Sequence, residues 1–276
     1  MKWGIIGTGN MGRILAEAWI DSGMIDQEQL YVTNRTLSKA KTLQASYPGI
    51  TICEEAAELA NQVDMLFICV KPLDIYPLLQ KIQPYLTKQQ CLVSITSPYS
   101  VEDLENEVPC QVVRWVPSIT NRAQSGVTLL TFGERVSPLM KAYVEQCCRR
   151  YSRPVQIHEN VTRVSSDIVS CGPAFFSYLL QRFIDAACEE TKISEEEATT
   201  MVTEMLIGFG KLLEEGHYSL PTLQEKVCVK GGVTGEGIEV LETETGKMFH
   251  HLFQRTHRKY KQDKWELEEQ KNKEAD

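Results

Sequence analysis

None of the nine cysteines is spaced as Cys-x-x-Cys, which leaves out the common zinc and dithiol frameworks. Cys69 and Cys91 sit inside apolar runs, and a disulfide between the adjacent Cys147 and Cys148 would be strained, so buried thiols in a reducing compartment are expected. No apolar run approaches the ~18 residues of a membrane-spanning helix. Met1 to Gly7 turns to glycine and polar residues too soon for a signal peptide, so the expectation is a cytoplasmic protein with no membrane partner. Basic residues are in deficit: 29 Lys and Arg against 37 Asp and Glu give a formal net charge of −8. With no local basic patch evident, no nucleic-acid partner is expected. His250, His251 and His257 have no carboxylate or cysteine at ligand spacing, so no metal site is expected either. There is no internal repeat and no low-complexity segment.

What is present is enough chain for one large or two modest domains: 276 residues, 42% hydrophobic and 24% charged. The first part alternates short apolar runs with helical periods. Strands are predicted at Trp3 to Ile6, Leu30 to Thr33, Met65 to Val70, Leu92 to Ile95, Val112 to Val116 and Thr128 to Phe132, with helices from about Asn10 and Leu37. That rhythm means a parallel sheet with helices on its faces. It stops near Arg153 and Pro154. Beyond them, Val161 to Thr191 and Ser194 to Glu215 carry apolar residues at helical steps, and Ser194 with Glu197 reads as a capping box. The expected organisation is an α/β domain over 1–154, an all-α domain over 155–258, and a charged tail over 259–276 that is a solvated helix end or disordered.

Gly7-Thr8-Gly9-Asn10-Met11-Gly12 follows the first strand and opens the first helix, the context that a G-x-G-x-x-G match requires. The first glycine permits the tight turn, the second lets backbone amides approach a pyrophosphate, and the third lets helix and strand pack closely. The first domain is therefore expected to be a doubly wound Rossmann domain that binds a dinucleotide. The second strand specifies which one. It runs into Asn34-Arg35-Thr36 and carries no carboxylate to bind ribose hydroxyls; Arg35 suits a 2′-phosphate, with Asn34 and Thr36 as neutral donors. The cofactor expected is NADP, with NADPH preferred over NADH. The plain alternative is that Arg35 is a surface arginine on an ordinary loop. Val70-Lys71-Pro72, Ser94 and Ser97 end later strands at the carboxyl edge, where open parallel sheets bind ligands, and the Thr96-Ser97-Pro98 turn is a candidate border for the nicotinamide. For Lys71 an exposed loop lysine is an equal alternative.

These motifs, together with Arg114 to Pro117, Gly172-Pro173-Ala174 and Gly231-Gly232 with Thr234, resemble the pyrroline-5-carboxylate reductase family in order and spacing over nearly the whole chain. Ile168 to Gln181 and Leu220 to Gly237 are most similar to the branch of that family encoded with late competence proteins. The resemblance implies a C-terminal helical dimerisation domain, a homodimer or larger homo-oligomer, and reduction of the small imine L-1-pyrroline-5-carboxylate to L-proline by NADPH. It also implies Thr234 as the hydroxyl near the ring nitrogen, and backbone amides of Gly231, Gly232 and Val233 as the cradle of the substrate carboxylate.

The sequence departs from the family pattern at the substrate end. Val229-Lys230-Gly231-Gly232-Val233-Thr234 replaces Ser-Pro-Gly-Gly-Thr-Thr, Val169-Ser170-Cys171-Gly172-Pro173-Ala174 replaces Ser-Gly-Ser-Gly-Pro-Ala, and Val116-Pro117-Ser118 replaces Met-Pro-Asn. A polar substrate edge left unpaired costs roughly 1–3 kcal/mol per lost bond. Two such losses amount to about a hundredfold or more in transition-state binding. Lys230 either pairs with a carboxylate or points to solvent. Two readings stay open: an imine reductase, favoured by Thr234 and the double glycine, and a dinucleotide-binding regulatory protein, favoured by Val229, Lys230 and Val233. A 3-hydroxy-acid dehydrogenase is weaker, since Lys192 and Lys211 lack the expected surroundings.

Overall fold

The computed structural model describes residues 1–275. Its first part runs β1 (Trp3–Ile6), α1 (Asn10–Asp21), β2 (Leu30–Thr33), α2 (Leu37–Ser46), β3 (Thr51–Ile52), α3 (Ala56–Gln62), β4 (Met65–Ile68), α4 (Pro72–Ile82), β5 (Cys91–Ser94), α5 (Val101–Glu107) and β6 (Gln111–Val116). It continues with β7 (Val127–Phe132), α6 (Pro138–Cys148) and β8 (Arg153–Gln156). The eight strands form one sheet in the order β3-β2-β1-β4-β5-β6-β7-β8. Every neighbouring pair is parallel except β6 with β7. The order reverses direction between β1 and β4, which opens a crevice at the carboxyl ends of those two strands.

Alternation along the strands feeds two cores, because successive side chains point to opposite faces. Trp3, Ile5, Met65, Phe67, Val113 and Trp115 enter one, while Ile6, Leu66, Ile68, Leu92 and Val112 enter the other. The first core is aromatic. Trp3 stacks on Phe67 with ring centroids 5.2 Å apart, Trp19 of α1 meets Phe67 at 4.5 Å, and the buried Trp115 Nε1 donates to Tyr151 at 2.8 Å.

The rhythm expected to stop near Arg153 and Pro154 has one further beat. β8 starts there and pairs with β7 alone, and a proline costs an edge strand no ladder bond. The two-residue β3 is too short to leave a periodic signal.

The chain then becomes helical: α7 (Thr162–Ser166), a π-helical turn at Asp167–Cys171, α8 (Gly172–Glu190), α9 (Glu195–Glu214), α10 (Leu220–Val227), α11 (Val233–Thr245) and α12 (Met248–Ala275). The capping box of α9 forms as expected: Ser194 Oγ accepts from Glu197 N at 3.2 Å, and Glu197 Oε2 accepts from Ser194 N at 3.0 Å. Two units result, one of 1–173 with 255–276 and one of 174–254. This division differs from the expected boundaries at both ends. The segment 259–275 is the end of a helix, one of the two expected forms, but it is not wholly solvated: its Leu267 is only 6% exposed, packed into the second core of the sheet unit. Gln270 Nε2 donates to Leu73 O at 3.1 Å, and Lys271 pairs with Glu107. One leucine among many charges anchors the helix. Asp276 lies outside the described residues.

Candidate dinucleotide and substrate sites

The glycine turn has the shape its residues predict. Gly7 has φ +103°, and a Cβ there would stand 2.6 Å from Cys69 O, so only glycine fits. A Cβ at Gly12 would lie 2.0 Å from Gly7 O; the missing side chain is what lets α1 approach β1. Gly9 caps α1 and faces open space, with nothing within 4 Å of an added Cβ. Backbone amides at the start of a twelve-residue helix therefore face an uncovered surface, which fits a pyrophosphate. Thr8 is buried, while at the start of α1 Asn10 is exposed and Met11 half-buried.

The loop after β2 is tied to that turn. Asn34 Oδ1 accepts from Thr8 N at 2.9 Å, and Asn34 Nδ2 donates to Thr36 O at 3.0 Å. Asn34 is thus a brace between the two loops, where the sequence suggested a phosphate donor. Arg35 is different: its side chain is 90% exposed, and Asp74 of α4 stands 4.0 Å away. Such an exposed pair holds a guanidinium only weakly, which leaves Arg35 available to an anion. Thr36 caps α2 with its backbone and makes no side-chain capping bond.

At the other carboxyl ends, Val70 is half-buried, the exposed Lys71 is the cap of α4, and Pro72 fills that helix's first position. Ser94 is fully buried and its Oγ is 3.1 Å from Thr96 Oγ1, a contact that shapes the turn. Ser97 is held twice. Arg163 Nη1 donates to its Oγ at 3.3 Å and Tyr260 OH donates to its backbone oxygen at 3.2 Å.

The helical unit carries the candidate substrate residues. Gly231 has φ +74°, Gly232 caps α11, and Gly232 N donates to Val229 O at 2.9 Å. A Cβ at Gly232 would meet Val229 Cγ2 at 2.9 Å. Thr234 is half-buried in the first turn, whereas Val229, Lys230 and Val233 are exposed, Val233 at 89%. The turn presents the first amides of a thirteen-residue helix.

Two of the departing segments meet. Ser118 Oγ donates to Val169 O at 2.7 Å, and Ser170 Oγ donates to Pro117 O at 2.7 Å. The hydroxyls gained at these positions therefore lace Pro117-Ser118 to Val169-Ser170.

A buried ionic network escaped the sequence reading. Arg114, 1% exposed on β6, donates to Glu159 Oε2 at 2.7 Å, Thr162 Oγ1 at 2.6 Å and Thr131 Oγ1 at 3.1 Å. One arginine inside an otherwise apolar strand was its signal, since a buried charge must be paired. Asp167, also 1% exposed, accepts from Arg163 Nη2 at 2.9 Å and Thr256 Oγ1 at 2.7 Å.

A doubly wound sheet with a glycine turn at its first β-α unit, joined to an all-helical unit, defines a dinucleotide-binding oxidoreductase fold. Residues 2–98 match the family model for NADP oxidoreductase, coenzyme F420-dependent, and residues 159–263 match that for pyrroline-5-carboxylate reductase dimerisation. Among relatives, ComE operon protein 4 of Bacillus subtilis is 56% identical over 263 residues, covering 95% of this chain and 96% of that protein. Pyrroline-5-carboxylate reductase 3 of Bacillus subtilis is 29% identical over 258 residues, covering 93% and 94%. Among solved structures, the NADP-bound pyrroline carboxylate reductase of Plasmodium falciparum superposes with a TM-score of 0.85 at 23% identity, covering 96% of this chain and 98% of that one. The chain belongs to the pyrroline-5-carboxylate reductase family.

Proposed function

We propose that this protein is an NADPH-dependent imine reductase acting on L-1-pyrroline-5-carboxylate or a close analogue, as a homodimer or larger homo-oligomer. The observation that carries the reading is the pairing of an intact glycine turn, with Gly9 open, and an intact Gly231-Gly232 cap followed by Thr234. Gly7 to Gly12 would hold the pyrophosphate, and Arg35 the 2′-phosphate. When bound, the reduced nicotinamide supplies a hydride to the imine carbon. The amides at the start of α11 bind the carboxylate, and the Thr234 hydroxyl hydrogen-bonds the ring nitrogen. A protonated imine is already electrophilic, so positioning carries most of the rate. Apolar side chains such as Phe176, Phe183 and Met201, exposed at 58%, 64% and 62% in a single chain, support burial against a second copy.

A second reading has its own support. Val229 and Val233 remove hydroxyls beside the carboxylate cradle, and the 56% identical relative is named for the ComE operon. It would keep the dinucleotide site in a regulatory or interaction protein with weak or altered reductase activity. Purified protein mixed with L-1-pyrroline-5-carboxylate separates the two. The reductase reading expects NADPH oxidation, with Thr234→Ala lowering kcat more than it weakens NADPH binding; tight NADPH binding without turnover on this imine or its ring homologue selects the regulatory reading.

A further inference from the structure

The sheet unit contains a cavity of about 400 Å³ between the π-helical turn and one face of α12. Its charged lining comprises Arg163, Asp167, Arg255, Arg258, Lys259 and Asp263. Arg255, Arg258, Lys259 and Asp263 recur at steps of three and four, so they share one helix face. Both carboxylates are already engaged. Asp167 accepts from Arg163 and Thr256, and Asp263 pairs with Lys259. Arg255 and Arg258 are exposed and have no carboxylate partner among the described residues, so the cavity carries two spare positive charges in a chain whose formal net charge is −8. No local basic patch was expected from the sequence; this one arises where Arg255 and Arg258 share a helix face. Arg163, in the same lining, has a shielded Nε that finds no hydrogen-bond partner among the described residues. π-Helical turns recur at functional sites, and this one puts Asp167 and Cys171 into the wall.

We infer that this cavity binds a small oxyanion, a phosphate monoester or a carboxylate, by the Arg255, Arg258 and Arg163 guanidinium groups. Guanidinium forks match both chemistries in bidentate fashion. The cavity shares no lining residue with the Arg35 loop or the Gly231-Gly232 turn, and its occupancy does not depend on reductase turnover. Arg163 also holds Ser97 Oγ, so an occupant reaches the Thr96-Ser97-Pro98 turn through one side chain.

The test is calorimetric titration of the full chain with inorganic phosphate and, separately, with succinate. Arg35→Ala is the background, which removes the arginine assigned to the 2′-phosphate. Saturable binding is expected, weakened about tenfold or more by Arg255→Gln with Arg258→Gln. The corresponding double lysine variant, which keeps the charge, retains part of the affinity. Saturation by phosphate alone assigns a phosphate ester, and by succinate alone a carboxylate. Equal affinity in the glutamine variant, or no saturation by either anion, overturns the inference. NADPH titration of the glutamine variant with Arg35 intact reports its folding, so a failed cofactor site and a failed anion site are told apart.

Discussion

At the scale of single residues, the proposed preference for NADPH is assigned to Arg35. It is 90% exposed, with the carboxylate of Asp74 4.0 Å away, so its value lies in what it can meet and little in what it holds. Arg35→Ala is expected to cut NADPH affinity roughly tenfold or more, the worth of one charge-assisted phosphate contact, and to leave NADH affinity nearly unchanged. Titration with both coenzymes checks this, and an equal loss with both would remove the 2′-phosphate assignment. The glycines were legible at this scale because their roles follow from backbone sterics. Asn34 was not, because nothing in Asn34-Arg35-Thr36 says that its amide reaches back to Thr8. Ser118 and Ser170 were misleading for the same reason: a hydroxyl's partner 51 or 53 positions away leaves no local trace.

At the scale of elements, strands β1, β2, β4, β5, β6 and β7 were readable from periodicity, and so was the capping box of α9. The end of α12 was not. A stretch of lysines, glutamates and aspartates reads as solvated, yet Leu267 seats it in the second core of the sheet unit. Leu267→Ala should therefore cost about 2–5 kcal/mol in urea denaturation, the usual loss for a buried leucine. Trp265→Ala, at a position 60% exposed, should change stability by no more than about 0.5 kcal/mol. Similar small effects for both would mean that α12 does not dock in solution. Arg114 makes the complementary point: its strand was predicted, but the ion pair with Glu159 joins residues 45 positions apart and comes only from the fold.

At the scale of the whole molecule, the nine cysteines are all free. Burial pushes the Cys53 and Cys110 thiols from about 9 up to about 11. The folded state thus favours the protonated form more than the unfolded chain does. Their contribution is complete below pH 9 and is lost as pH rises from about 9 through about 11. Melting temperature should fall across that window, and replacing both cysteines with alanine should flatten the fall; an unchanged slope in that variant would contradict the assignment. The division into units was harder to read than the fold class, since a helix that starts in one unit and ends in the other shows no composition break.

The proposed function stands on hydride delivery from NADPH to a small cyclic imine. It is tested most directly by supplying NADPH deuterated at the transferable nicotinamide position with L-1-pyrroline-5-carboxylate, and analysing the product by mass spectrometry. The expected product is L-proline carrying one deuterium on the former imine carbon, with far less of it from Thr234→Ala at saturating NADPH. NADPH bound by the wild-type protein with no labelled proline formed would contradict it.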